Sequence, residues 1–292
     1  MSHTFNRQFV HLVFATKNLE PFIVEETQNS LFSYITGIVK DLGGILIARS
    51  GTSNHIHLLL IPPTNYSISD LLLIIKANSS KWYGKNHAKV KFGWEEGYGA
   101  FSVSPESVES VKKYFLTELA RHKKYPYENE LMNFLNFHEI EFKPQYVTKT
   151  TYTSLNLHVV WGVKNRESLI EPSLKSILHD RMNQEIEKVA GKVIAIGNVS
   201  DHIHIFISIP RNKAIANIVQ TLKVVTTPLL NKAQNMKMRE FAWQEGYGVF
   251  SVGKPAMGGV ANYVRNQEKH HSNDNFTLEQ EWGKIVAGNY AC

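Results

Sequence analysis

Hydrophobic residues along the chain fall into two alternating regimes. Short runs rich in β-branched and aromatic residues, 9–15, 44–49 and one opening at His55, have strand lengths and recur at 156–162, 192–197 and from His202. Between them lie longer stretches, 25–42 and 69–83, then 174–190 and 215–231, in which apolar positions return every three or four residues as on one face of a helix. A further short strand is predicted near 99–103 and 248–252, each time followed by a terminal helix and a closing helical segment, 128–137 and 276–286. Short strands separated by helices predict an α+β fold with an antiparallel-rich sheet and helices packed on it.

The pattern occurs twice because the chain repeats itself. His11-Leu-Val-Phe-Ala-Thr-Lys-Asn18 returns as His158-Val-Val-Trp-Gly-Val-Lys-Asn165. His55-Ile-His57 returns as His202-Ile-His204, and Trp94-Glu-Glu-Gly-Tyr-Gly-Ala-Phe-Ser-Val103 as Trp243-Gln-Glu-Gly-Tyr-Gly-Val-Phe-Ser-Val252. Order and spacing persist, so two homologous domains are predicted, residues 1–146 and 147–292, with no low-complexity linker between them.

Composition narrows the class. With 43% hydrophobic residues and a single cysteine, Cys292, the chain is neither a disordered tail nor a disulfide scaffold. No signal-peptide pattern opens the sequence, and the longest apolar runs fall well short of the ~20 residues that span a bilayer. A cytoplasmic globular protein without membrane association is therefore expected. The net charge of +6 permits a polyanionic partner without requiring one.

Residues i and i+2 of a strand point to the same face, so His55 and His57 project together, as do His202 and His204. Neutral imidazole is a common ligand of divalent metals, and recurrence of the pair in both halves favours a metal site over two unrelated buried histidines. On the terminal helices Tyr114, Glu118 and His122 stand at i, i+4 and i+8, as do Tyr263, Gln267 and His271. The oxygens of Glu118 and Gln267 can complete each metal shell, with His122 and His271 in assisting positions. A phenol with a pKa near 10 is a poor nucleophile unaided, but a divalent ion that polarises a phosphodiester would let the tyrosine attack it. His11 and His158 recur on the first strands, either orienting a ligand or packing.

Through His55-Ile-His57, His202-Ile-His204, the Gly-Tyr-Gly-x-Phe-Ser-Val stretches and Tyr263-Val-Arg-Asn-Gln267, the chain resembles the single-tyrosine HUH transposases of the insertion-sequence 200/605 group, including their repeat-associated relatives. The resemblance covers nearly the whole chain, twice. It implies two tandem ferredoxin-like HUH domains arranged as an intramolecular pseudo-dimer and a Mg²⁺ or Mn²⁺ cofactor. Implied too are cleavage and rejoining of hairpin-bearing single-stranded DNA through a 5′-phosphotyrosine, and a nucleoid-associated location. Tyr114 and Tyr263 would be the nucleophiles; His55, His57 and Glu118, and His202, His204 and Gln267, the metal ligands. Exchange of tyrosine helices between the two domains is as compatible with the sequence as centres built within each half, and further homo-oligomerisation is left open. Glu118 departs from the amide of the family pattern. Gly258-Gly259 precedes the second tyrosine helix where the aligned residues of the first are Glu109-Ser110; such a pair suits a hinge or equally a weak helix start, and predicts a more mobile second tyrosine helix. Lys112, Lys113, Arg121, Lys123 and Lys124 in the first half, with Arg265 and Lys269 in the second, are candidates for phosphate contact, and Trp82, Tyr83, Trp94, Tyr98, Trp243 and Tyr247 for base stacking, the Gly-flanked Tyr98 and Tyr247 being equally compatible with the core. The rival reading is a domesticated protein that binds hairpins with one competent site or none.

Overall fold

A computed structural model describes residues 4–87, 91–122, 124–233, 240–273, Gly283 and Ile285. The first half runs β1 (Phe5–Arg7), β2 (Phe9–Ala15), α1 (Glu25–Asp41), β3 (Ile45–Gly51), β4 (His55–Ile61), α2 (Ile68–Asn86), β5 (Tyr98–Val103), α3 (Val108–Leu116), α4 (Glu118–His122) and α5 (Tyr127–Phe137). The second runs β6 (Thr151–Ser154), β7 (Asn156–Gly162), α6 (Lys175–Lys188), β8 (Lys192–Asn198), β9 (His202–Ser208), α7 (Ile215–Ala233), β10 (Gly248–Ser251), α8 (Met257–Arg265) and α9 (Gln267–Asn273). Cys292, Lys123 and all of the predicted closing segment 276–286 except Gly283 and Ile285 lie outside the described residues.

Two compact units emerge. The first comprises Phe9–Val103 and Ser107–Ser154; the second takes in the chain from Leu155 onward with Ser104–Glu106 and the N-terminal segment through Gln8. In the first unit the sheet order is β3-β4-β2-β5-β6, antiparallel except for the parallel β5-β6 pair. In the second it is β8-β9-β7-β10-β1, again antiparallel except for β1-β10. The four strands and two crossover helices of each unit form the split βαβ arrangement of a ferredoxin-like fold.

The units and the sequence repeats do not coincide residue for residue. Thr151–Ser154 follows the repeat boundary at 146/147, yet pairs with Tyr98–Phe101 in the first unit; Phe5–Arg7 pairs with Gly248–Phe250 in the second. Each sheet's fifth strand thus comes from the other half of the sequence and covers an edge whose backbone groups would otherwise be unpaired. These strands have four and three residues, too few for periodicity to reveal them.

Every residue of β2 and of β7 is buried. Helices cover both faces of these central strands, which explains their unbroken apolar runs. On one face of the first sheet α1 buries Leu31, Phe32, Ile35 and Val39, and α2 buries Leu71, Leu72 and Ile75. On the other face Phe9 and Leu59 meet Val108 and Phe115 of α3, while Val13, Ala15 and Phe101 meet Tyr127, Leu131 and Leu135 of α5. His55 and His57 share that second face with Leu59, so the α3, α4 and α5 segments close over them.

Candidate active site

The first centre is assembled from β4 and the α3–α5 segment of one unit. The expected single terminal helix is interrupted: Thr117 leaves helical geometry (φ −97°, ψ 2°), separating α3 from α4, and Asn266 (φ −99°, ψ 20°) does the same between α8 and α9. Tyr114, Glu118 and His122 therefore do not share one regular helical face, yet all converge on the paired histidines of their own half. His55 Nε2 lies 3.2 Å and His57 Nε2 3.6 Å from Glu118 Oε1. The Cζ of Arg121 stands 3.5 Å from the centroid of the Tyr114 ring.

A residue that the sequence pattern did not single out stands among them. Glu130, on α5, places Oε2 3.0 Å from His122 Nε2, 3.2 Å from His57 Nε2 and 3.5 Å from His55 Nε2. Its Oε1 accepts the Tyr114 hydroxyl and lies 3.2 Å from Arg121 Nη2. The available signal was a spacing: Glu130 follows Tyr114 by sixteen residues (130 − 114), with an aromatic residue three positions before it, and Glu279 follows Tyr263 identically (279 − 263), after Phe276. Glu279 lies outside the described residues.

The donor set fits a divalent cation. Ligand atoms about 2.1 Å from a shared ion stand about 3.0 to 3.4 Å apart in octahedral or tetrahedral disposition, and the carboxylate–imidazole contacts here, 3.0 to 3.6 Å, lie close to that spacing. Glu118, fully buried, has neither oxygen in hydrogen-bond geometry, and His55 Nε2 likewise meets its carboxylate neighbours without one. His55 Nδ1 donates to Asn54 Oδ1 at 2.9 Å and stands 2.8 Å from Thr52 Oγ1, which turns Nε2 inward. His57 Nδ1 lies 2.9 Å from His11 Nε2. His11 is therefore an orienting partner: it sits diagonally across the β2–β4 ladder, where Val13 opposes His57. Burial and neighbouring His57 hold its pKa far below the ordinary value, so it stays neutral.

Burial alone would raise the pKa of both carboxylates. For Glu130, the imidazoles of His122, His55 and His57 outweigh burial and hold it well below the carboxylate range; for Glu118, the His57 charge and His55 lower it. Tyr114 moves the other way: burial, then the Glu130 charge, push its hydroxyl well above 10. The phenolate is thus disfavoured until cationic charge enters.

The second centre repeats the frame with altered chemistry. His158 Nε2 lies 2.9 Å from His204 Nδ1, matching the His11–His57 contact. His202 Nδ1 donates to Asp201 Oδ1 at 2.7 Å, and Arg166 holds Asp201 at 2.8 Å, so a carboxylate stands where the first centre has Asn54. The rings of His202 and His271 lie 4.8 Å apart, and those of His204 and Tyr263 5.9 Å apart. Gln267 is buried, and its Oε1 has no hydrogen-bond partner. Gly197 permits this packing: a Cβ there would sit 1.8 Å from the Val264 carbonyl oxygen. At the matching position Ser50 donates its hydroxyl to the Phe115 carbonyl at 3.0 Å.

The nucleic-acid candidates divide. Lys113, Arg265 and Lys269 are exposed; Lys112 pairs with Glu109 at 2.7 Å, and Arg265 also donates to the Ile194 carbonyl. Tyr83, Trp94 and Trp243 are buried, which corrects their expected role in base stacking; Tyr98 and Tyr247 are buried too and take the core alternative. Trp94 Nε1 donates to Ser79 and Trp243 Nε1 to Thr226, each at 2.9 Å, so the recurring tryptophans anchor their loops to a helix. Trp82 is half-buried and stacks on Tyr34.

Two known structures resemble part of the chain. A candidate transposase from Deinococcus radiodurans R1 is 20% identical, with 40% of this chain and 95% of that one covered at a TM-score of 0.34. A REP-associated tyrosine transposase bound to a REP hairpin is 13% identical, with 40% and 68% covered at a TM-score of 0.33. No curated protein gives a significant match. The sequence model of the family described as "Transposase IS200 like" matches twice, at residues 4–117 and 151–267, most of the chain, and the protein belongs to that family of transposases.

Proposed function

We propose that the chain is a metal-dependent transposase that nicks and rejoins single-stranded DNA at hairpins through a 5′-phosphotyrosine, with residues 1–146 and 147–292 as its two catalytic domains. The observation that carries this reading is the convergence of Tyr114, a histidine pair and two carboxylates in one buried cluster, on the framework of a transposase family. Mg²⁺ or Mn²⁺ would be held by His55, His57 and Glu118, and by His202, His204 and Gln267. Bound there, the ion would polarise the scissile phosphate.

The chain's own residues account for the remainder. The Oη of Tyr114 or Tyr263 forms a bond to phosphorus as the P–O3′ bond breaks; the phenolic proton leaves to a neighbouring acceptor, and the departing oxygen takes up a proton as a 3′-hydroxyl. Rejoining reverses the step. His122 and His271 assist at the two centres, and Lys112, Lys113, Arg121, Arg265 and Lys269 take the DNA backbone. No described helix is long and apolar enough to cross a membrane, compatible with a cytoplasmic, nucleoid-associated protein.

The test is incubation with labelled single-stranded hairpin DNA in Mn²⁺ or EDTA, resolved on a denaturing protein gel. A metal-dependent covalent adduct is expected. Tyr114→Phe combined with Tyr263→Phe should abolish it while leaving hairpin binding intact. Tight binding with no adduct from the natural chain would instead identify a domesticated hairpin-binding protein.

A further inference from the structure

We propose that Glu130 is a ligand of the first metal centre and also holds the Tyr114 hydroxyl, so that one carboxylate joins ion binding to placement of the nucleophile. This rests on the reading that His55, His57 and Glu118 hold a divalent ion. Glu130 lies beyond the segments that match the transposase family, 4–117 and 151–267, and the matched sequence assigns it nothing.

The two oxygens of Glu130 have separate surroundings. Oε2 faces three imidazole nitrogens at 3.0 to 3.5 Å; Oε1 accepts from Tyr114 and stands beside Arg121. A simple Arg121–Glu130 ion pair would not require the far oxygen to point at three Nε2 atoms. His55 adds a second observation. Its Nδ1 edge is held by Asn54 and Thr52, so Nε2 is the edge turned inward, where Glu118 and Glu130 oxygens lie 3.2 and 3.5 Å away without hydrogen-bond geometry. Two buried carboxylates that converge on one point repel unless a cation lies among them, and the Nε2 atoms of His55, His57 and His122 turned to that same point are the donors such an ion takes.

With Glu130 and His122 included, the shell holds three imidazole nitrogens and two carboxylates. That set favours Mn²⁺ and other borderline transition ions over Mg²⁺, which keeps its waters and prefers oxygen. The Oε1 contact gives Glu130 a second role, because its removal both opens the shell and releases the tyrosine hydroxyl.

The experiment uses the full chain carrying His202→Ala and His204→Ala, so that only the first centre can take up metal. Mn²⁺ titration by calorimetry is compared for this parent, Glu130→Gln, Glu130→Asp and His55→Ala, with the Co²⁺ visible spectrum as the coordination readout. Glu130→Gln is expected to weaken Mn²⁺ binding at least about tenfold and alter the Co²⁺ bands, whereas Glu130→Asp retains part of both. Glu130→Gln indistinguishable from the parent, while His55→Ala loses the metal, would overturn the ligand assignment, as would a parent that takes up no Mn²⁺.

The link to Tyr114 is read separately. At saturating Mn²⁺, Glu130→Gln, which keeps an acceptor, should recover Tyr114 adduct formation and Glu130→Ala should not; full recovery in both would remove the holding role. If the parent forms no DNA adduct yet Glu130→Gln still weakens Mn²⁺ binding, the transposase reading fails at this centre and the ligand assignment stands.

Discussion

At the scale of single residues, two half-buried lysines show how a recurring motif serves the fold instead of the chemistry. Lys76 Nζ donates to the carbonyls of Glu95, Glu96 and Gly97 at 2.9, 3.2 and 3.0 Å, and Lys223 to those of Gln244, Glu245 and Gly246 at 2.7, 3.1 and 2.9 Å. Each ammonium clamps its Trp-x-Glu-Gly-Tyr-Gly loop. Lys76→Met strands three carbonyls and should cost about 1–3 kcal/mol, measured by urea unfolding. Burial lowers the pKa of both lysines to about 8, against an ordinary 10.5. Between those values the unfolded chain holds a proton that the native state has released, so this contribution to stability rises with pH from about 8 to 10.5. Unfolding at pH 7.5 and 9.5 should show the natural chain gaining relative to Lys76→Met; an unchanged difference would contradict it.

At the scale of elements, the contact between strand β8 and the α8–α9 junction governs the second centre. Gly197→Ala would drive a methyl into the Val264 carbonyl and force backbone movement. The expected cost is about 1–3 kcal/mol, with weakened metal binding at the His202/His204 centre and none at His55/His57, a difference visible in Mn²⁺ titrations of chains with the other centre removed. Gly258 and Gly259 behave oppositely. They lie inside α8, not before it, and a Cβ at either would meet nothing within 4 Å. Gly258→Ala and Gly259→Ala should each stabilise the helix by roughly 0.5–1 kcal/mol. Hydrogen exchange in the natural chain is expected to be faster across Met257–Arg265 than across Val108–Leu116, and slowed by both substitutions. Equal rates would remove the predicted mobility.

At the scale of the whole molecule, the origin of the fifth strands makes the unit, and not the repeat, the stable piece. A fragment of residues 1–146 lacks β6 and leaves the edge of β5 unpaired; a fragment of 9–154 keeps it. The longer-ended fragment should unfold at higher denaturant and aggregate less. Deleting residues 1–8 should likewise expose β10, where Phe5 packs on Phe250 at 5.7 Å, and speed exchange there while leaving β5 protected.

The sequence by itself determined the duplication, the order of the four central strands and two long helices of each half, and the placement of His55 with His57 and of His202 with His204, because the periods of strand and helix are local properties written in neighbouring residues. It also marked Tyr114 and Tyr263 as candidates through their repeated company. Tertiary structure decided what depends on contact between distant segments. It built each centre from the histidines and tyrosine of one half, interrupted the tyrosine helices at Thr117 and Asn266, and buried five of the six aromatic residues that chemistry alone offered as stacking platforms. It brought Glu130 to a cluster 73 residues from His57 along the chain. No local period encodes such an approach; it follows from the way α5 packs over the sheet through Tyr127, Leu131 and Leu135.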